Sequence, residues 1–221
     1  MARELSLGVL VSGSGSNLQA IVDAIESDRL DAVIKIVISN NPNAYALERC
    51  RRHNIPISVI NHCQYKSREA FDDKMISVLT DNGVELVVMA GFMRILTERL
   101  LRAFPLRVMN IHPALLPSFP GLHGQRQAFD YGVKFSGCTV HFVDEGVDTG
   151  PIIIQAVVPC CDDDTEESLQ QKILKEEHRI YPQAIQYFAE GRLEVSGRKV
   201  HIKNSNQMST PSLHNPHLEG F

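Results

Sequence analysis

The sequence predicts an α/β fold: a single domain built on an open, mostly parallel twisted sheet with helices on both faces. Three observations predict it. Short runs rich in Val, Ile and Leu alternate with segments of helical apolar spacing through the first hundred residues. The run 86–90 contains no polar residue, as a strand covered on both faces requires. A Ser-Gly-Ser-Gly-Ser turn directly follows the first apolar run. Strands and helices alternating at this spacing make right-handed crossovers, and those give parallel pairing.

In chain order, residues 5–11 form a buried strand that enters the turn at 12–16. From Asn17 the apolar spacing becomes Leu18, Ile21, Val22 and Ile25, one face of a helix. Residues 32–38 are a second, β-branched strand closed by Ser39-Asn40-Asn41-Pro42. A helix is expected around 44–53 and a third strand over 57–60. Phe71, Met75, Val78 and Leu79 then mark a third helix, with Ser67 as its N-cap. After the central strand 86–90 come a short helix near 98–103 and a strand over 107–110. Pro113, Pro117 and Pro120 with Gly121 describe a long rigid loop leading into a helix through Gln127. Strands over 139–143 and 152–158 are joined by the turn-rich stretch 144–151. The last helix is expected over 165–189, with Asp164 as cap and Glu166 and Glu167 complementing its dipole. The globular domain therefore spans 1–203, and the polar, aperiodic residues 204–221 read as a loosely ordered tail.

Composition narrows the function. A chain of 221 residues buries roughly 70% of its unfolded surface and needs no metal or disulfide staple. Lys+Arg 22 against Asp+Glu 26 gives a net charge of −4, without the basic face that nucleic-acid binding demands. No run approaches the ~18 apolar residues of a membrane span, and no signal or transit peptide is read at the start. The five cysteines form no CxxC pair, so neither a disulfide framework nor a zinc site is read from them. These features predict a reduced, cytoplasmic protein with no nucleic-acid and no membrane partner, and leave monomer and homodimer both open.

The turn Ser12-Gly13-Ser14-Gly15-Ser16-Asn17 joins the first strand to the first helix. Amides at such a helix start point outward and suit an anion, most often a phosphate; a tight turn that merely needs glycine is the plain alternative. A dinucleotide fingerprint requires Gly or Ala where Leu18 stands and an acidic residue where Ser39-Asn40-Asn41 closes the second strand. A Walker A loop requires a lysine, and a nucleophile elbow requires Gly two residues before the serine; both are missing here. A phosphate cradle for something smaller than a dinucleotide remains.

Asn110, His112 and Asp148 are polar residues at strand ends or adjoining loops, where ligands bind in open α/β sheets. A histidine moves protons near neutral pH, a carboxylate orients it, and a carboxamide donates to a developing oxyanion. No serine or cysteine nucleophile is paired with them, which favours direct transfer between two bound substrates over a covalent intermediate. Glu177 falls on the apolar stripe Leu169, Ile173, Tyr181, Ala184 and Phe188, where a carboxylate must be paired or functional. By periodicity Ile95 and Leu96 are ordinary packing. His141, inside a strand, reads as a structural histidine, and Arg49, Arg51 and Arg52 as a solvated helix face.

The run Asn110-Ile-His-Pro-Ala-Leu-Leu-Pro-Ser-Phe-Pro-Gly121, with Gly13-Ser-Gly-Ser-Asn17 and Asp148-Thr-Gly-Pro151, resembles the signature of the folate-dependent formyltransferases. The resemblance covers nearly the whole chain to about residue 203 and implies a Rossmann-like sheet. It implies transfer of the formyl group of 10-formyltetrahydrofolate, a co-substrate, to the amine of glycinamide ribonucleotide in purine synthesis, without a metal. His112 would be the catalytic histidine, Asn110 the oxyanion donor, and Asp148 the carboxylate that raises the histidine's pKa. Gly13, Gly15, Ser16, Asn17 and Glu177 would bind the ribonucleotide. Arg68, Phe92, Met93, Arg94, Ile95, Leu96, Asn110 and Val147 would form the folate site. Two alternatives stay open: a formyltetrahydrofolate deformylase-like hydrolase, with water as acceptor, and a non-catalytic nucleotide- or folate-binding module.

Overall fold

The computed structural model describes residues 4–205 together with Leu213 and Asn215. The chain runs β1 (Leu5–Val11), α1 (Ser16–Glu26), β2 (Ala32–Ser39), α2 (Ala46–Arg52), β3 (Ile57–Val59), α3 (Arg68–Asp81) and β4 (Leu86–Met89). It continues as α4 (Glu98–Ala103), β5 (Val108–His112), α5 (Gly124–Tyr131), β6 (Phe135–Phe142), β7 (Ile152–Pro159), α6 (Glu166–Ala189), β8 (Leu193–Ser196) and β9 (Lys199–Ile202).

The strands form one sheet in the order β3-β2-β1-β4-β5-β6-β7-β9-β8. From β3 to β5 every pair is parallel, as the continuous apolar runs require. β6 is antiparallel to both β5 and β7. The change of direction therefore falls at β5, the strand that carries Asn110 and His112. The chain also reverses its order between β1 and β4, neighbours in the sheet whose connections leave in opposite directions. A crevice opens at such a switch point, outside the carboxyl ends of the strands.

Both faces are covered, as expected. On one, Leu18 and Ile21 of α1, Leu47 of α2 and Tyr181 and Ile185 of α6 pack on Leu7, Val9 and Val11. On the other, Phe71, Met75 and Leu79 of α3 and Leu100 of α4 pack on Leu10 and Val87. Each such side chain contributes roughly 1.5–3 kcal/mol through removal from water. Tyr181 is fully buried, and its hydroxyl lies 3.1 Å from the Met89 carbonyl and 3.0 Å from that of Met109. One phenol thus ties α6 to the adjoining strands β4 and β5.

Several boundaries differ from expectation. β5 extends through His112, so the histidine closes the strand instead of following it. β6 begins at Phe135, because Ser136 and Gly137 look like a turn but belong to a tightly paired strand. A Cβ at Gly137 would stand 1.9 Å from the Ala156 carbonyl oxygen, so only glycine lets β7 approach there. α6 is capped by Thr165, not Asp164: the Thr165 hydroxyl accepts from Ser168 N–H while the Ser168 hydroxyl accepts from Thr165 N–H. Asp164 instead accepts from the Ser168 hydroxyl and from Lys172. Ser67 does cap α3, accepting from Ala70 N–H at 3.1 Å. The half-exposed hairpin β8–β9 was not foreseen, being two four-residue strands without a continuous apolar run.

The tail expected over 204–221 lies outside the described residues apart from Asn204, Ser205, Leu213 and Asn215. Asn215 donates to the carbonyls of Lys134 (2.7 Å) and Cys160 (2.9 Å). Among the described residues no helix is long and apolar enough to cross a membrane.

Candidate active site

The three polar residues separated in sequence converge. Asn110 and His112 lie two apart on β5 and so face the same side. Asp148 reaches them from the β6–β7 connection with φ 55, a left-handed conformation that costs an aspartate about 1 kcal/mol. One of its oxygens stands 3.3 Å from His112 Nδ1 and accepts from Gly121 N–H at 2.8 Å. The other accepts from the Asn110 amide at 3.4 Å. His112 donates from Nε2 to the Phe119 carbonyl at 2.7 Å. The proline loop that carries Phe119 is held from below by Thr139, whose hydroxyl donates to Ala114 O and accepts from Leu116 N–H.

Burial governs the electrostatics. His112 is 3% exposed, and burial pushes its pKa below the ordinary value; Asp148 and the Phe119 carbonyl pull it back only in part. The expected lift from Asp148 is therefore present but outweighed. Burial also pushes Asp148 upward, but the His141 contact, the Gly121 N–H and the two histidines prevail and keep its carboxyl below the usual range. A low aspartate beside a histidine poised below its ordinary value suits proton exchange near neutrality.

His141 is the buried, hydrogen-bonded strand histidine expected, and it also stands beside the candidate residues. It pairs across the β5–β6 ladder with Asn110, its Nε2 3.2 Å from the Asn110 amide and 3.6 Å from Asp148. Its Nδ1 donates to the Phe142 carbonyl, which leaves Nε2 to accept from Asn110 and fix the carboxamide. No spacing rule could reveal this neighbour, because it depends on antiparallel register.

The glycine loop forms the second part of the site. Gly15 precedes α1 with φ 69, and a Cβ there would lie 2.6 Å from the Ala46 Cβ, so both conformation and space demand glycine. No side chain caps α1 and its first turn holds no acidic residue, which leaves its amides for an anion. Asn17 Nδ2 donates to Glu177 at 2.7 Å. Glu177 is 5% exposed, and burial pushes its carboxyl up to about 7 against the opposing Asn17 bond. Asn17 Oδ1 and Nε2 of the adjacent His178 are buried without a partner among the described residues. Arg49 is not simply solvated: it donates to the Ser14 carbonyl and to Gln19, bracing the loop, whereas Arg51 and Arg52 pair with Glu48 at the surface.

The third part is the segment after β4. Phe92 and Leu96 are buried in the core, while Met93 and Ile95 are 66% and 55% exposed. Ile95 is thus not the packing residue its periodicity suggested. Arg94 is half-buried, Arg68 opens α3 at the surface, and Val147 is exposed beside Asp148. Among the described residues no three His, Cys, Asp or Glu side chains are grouped to hold a metal ion.

Comparison with known proteins gives the family. Residues 6–185 match the family model described as formyl transferase. The chain belongs to the formyl transferase family. It is 41% identical over 191 residues to the phosphoribosylglycinamide formyltransferase of Escherichia coli K12, covering 86% of this chain and 90% of that protein. It is 47% identical over 196 residues to the trifunctional purine biosynthetic protein adenosine-3 of Drosophila melanogaster, 88% of this chain but only 14% of the fly protein. The crystal structure of glycinamide ribonucleotide transformylase 1 from Symbiobacterium toebii superposes with a TM-score of 0.90 at 52% identity, over 91% of this chain and 95% of that one. The expected fold and family are both borne out.

Proposed function

We propose that this formyl transferase moves the formyl group of 10-formyltetrahydrofolate to the amine of glycinamide ribonucleotide, a step of purine synthesis. The observation that carries the reading is the convergence of Asn110, His112 and Asp148 at the carboxyl end of β5, with the uncapped glycine-loop helix after β1 and the exposed apolar side chains after β4 at the ends of the preceding strands of the sheet. The phosphate sits on the amides at Gly13, Gly15, Ser16 and Asn17, with Glu177 toward the ribonucleotide. The folate lies against Met93, Ile95 and Val147, with Arg68, Phe92, Arg94, Leu96 and Asn110 shaping its site.

The neutral amine attacks the formyl carbon, and the C–O double bond opens to a tetrahedral oxyanion. Asn110 turns an N–H from His141 and Asp148 toward that oxygen. To take the proton the amine releases, neutral His112 carries its hydrogen on Nδ1 toward Asp148 and turns Nε2 away from the Phe119 carbonyl. Its imidazolium is held by Asp148 and then returns the proton to N10 of the folate as the carbon–N10 bond breaks. No metal is used, and product and substrate carry the same number of atoms and electrons.

The test follows 10-formyltetrahydrofolate spectroscopically with and without glycinamide ribonucleotide. Consumption only with the ribonucleotide supports the reading. Formate release without it would establish the deformylase reading instead, and ligand binding without turnover a non-catalytic module.

A further inference from the structure

The two ligand-binding loops of the proposed site meet at one hydroxyl. Ser12 directly follows β1 and immediately precedes Gly13. Its Oγ donates to Asn40 Oδ1 at 2.6 Å and accepts from the Met93 backbone N–H at 2.8 Å. Its own N–H donates to the Gly91 carbonyl at 3.1 Å, and its carbonyl accepts from Asn41 Nδ2 at 3.3 Å. A hydroxyl has one proton and two acceptor sites, so these contacts use its donor fully. Asn40 is itself buried and holds its amide 3.4 Å from His62 Nδ1. The other end of the 91–97 segment is fastened by Asp72, a buried carboxylate on α3 that accepts from Thr97 N–H at 2.6 Å. Between those anchors stand the exposed Met93 and Ile95. The amino-terminal anchor of this segment is thus not part of its own helix pair but of the glycine loop.

We propose that Ser12 is a positioning residue that couples the two substrates: ribonucleotide bound on residues 13–17 fixes Ser12, and its hydroxyl in turn fixes Met93 N–H and the folate loop. This rests on the assignment of the two loops given above. Coupling between sites is reciprocal, so each substrate tightens the other by the same factor. The Ser12→Ala variant keeps the backbone bond to Gly91 and deletes both hydroxyl bonds, so it separates the link from the fold.

Calorimetry on the full chain, with tetrahydrofolate titrated in the absence and presence of saturating glycinamide ribonucleotide, reads the coupling without turnover. The wild type should bind tetrahydrofolate about fivefold more tightly with the ribonucleotide present, the low end of typical coupling. In Ser12→Ala the factor falls below about twofold, and in Ser12→Thr, which keeps the hydroxyl, it returns. In turnover, Ser12→Ala raises the KM for 10-formyltetrahydrofolate by the same factor, with kcat less affected. If Ser12→Ala does not fold, Ser12→Cys replaces it, since a thiol fills the volume but accepts poorly. Undiminished coupling in the variant, or none in the wild type that still transfers formyl groups, overturns the link and leaves the activity standing. A wild type that binds neither ligand overturns the functional reading and the coupling with it.

Discussion

On the glycine-loop side of the candidate site Asn17 and Glu177 are buried and tied together, whereas on the 92–96 side apolar groups stand in solvent. Glu177, Asn17 and Gly15 sit between α1, α2 and α6, each limited by a neighbour a few ångströms away. Met93 and Ile95 have no such enclosure, although Phe92 and Leu96 beside them are rooted in the core. A small, charged ligand needs its partners in place beforehand, because a buried polar group left unmatched costs about 1–3 kcal/mol. A flat, largely apolar ligand can instead cover a surface that water leaves on binding. The first side should therefore respond to substitution in stability as well as binding, and the second in binding alone.

The largest effect is expected at the carboxyl end of β5. Asn110→Ala, which removes the oxyanion donor, and His112→Ala, which removes the proton carrier, should each lower turnover about 100- to 1000-fold with folding retained. Near-normal kcat in either purified variant removes that residue from the mechanism. Next comes Glu177, whose carboxyl is raised to about 7 in the folded chain. A raised carboxyl pKa means the folded state holds the proton more tightly. Its contribution is then complete below about pH 4.5 and is lost as pH rises through about 7, a slope worth about 3 kcal/mol. Denaturation of Glu177→Gln across pH 4.5–8 should show this slope flattened; an unchanged slope assigns it to other groups.

Gly15→Ala should cost about 1–3 kcal/mol through overpacking against Ala46 and a positive φ. It should also raise the KM for the ribonucleotide, a change measured by denaturant titration and steady-state kinetics together. The smallest effect belongs to Ile95→Ala: stability within about 0.5 kcal/mol, as for exposed positions generally, with the folate KM raised severalfold. A stability loss for Ile95→Ala as large as for Gly15→Ala would erase the contrast between the two sides.

How much of this was legible in the sequence follows the same division. The parallel half could be read because its inner strands, β1 and β4 above all, are buried and written in Val, Ile and Leu. The glycine loop could be read because its residue types have few other uses. Asn110, His112 and Asp148 stood out by chemical type and by the ordered motifs around them. His141 did not, since its place beside Asn110 comes from antiparallel register. Ile95 misled, because an apolar residue reserved for solvent exposure looks like a core residue in a helical or strand pattern. Ser12 carries no such signal, being one serine among three whose partners lie 28 and 81 residues away. Glu177 was legible as an anomaly on an apolar stripe, while its partner Asn17, 160 residues earlier, was not.

The Tyr181 phenol, seated at the seam of β4 and β5, acts as a rigid gauge. Glu177 is one helical turn before it, and Asn110 is the residue after Met109, whose carbonyl it touches. An aromatic ring cannot stretch, so a planar spacer with two torsions sets the span from the α6 backbone, one turn past Glu177, to the β5 backbone beside Asn110. Loops on either side are free to differ in length without altering that span.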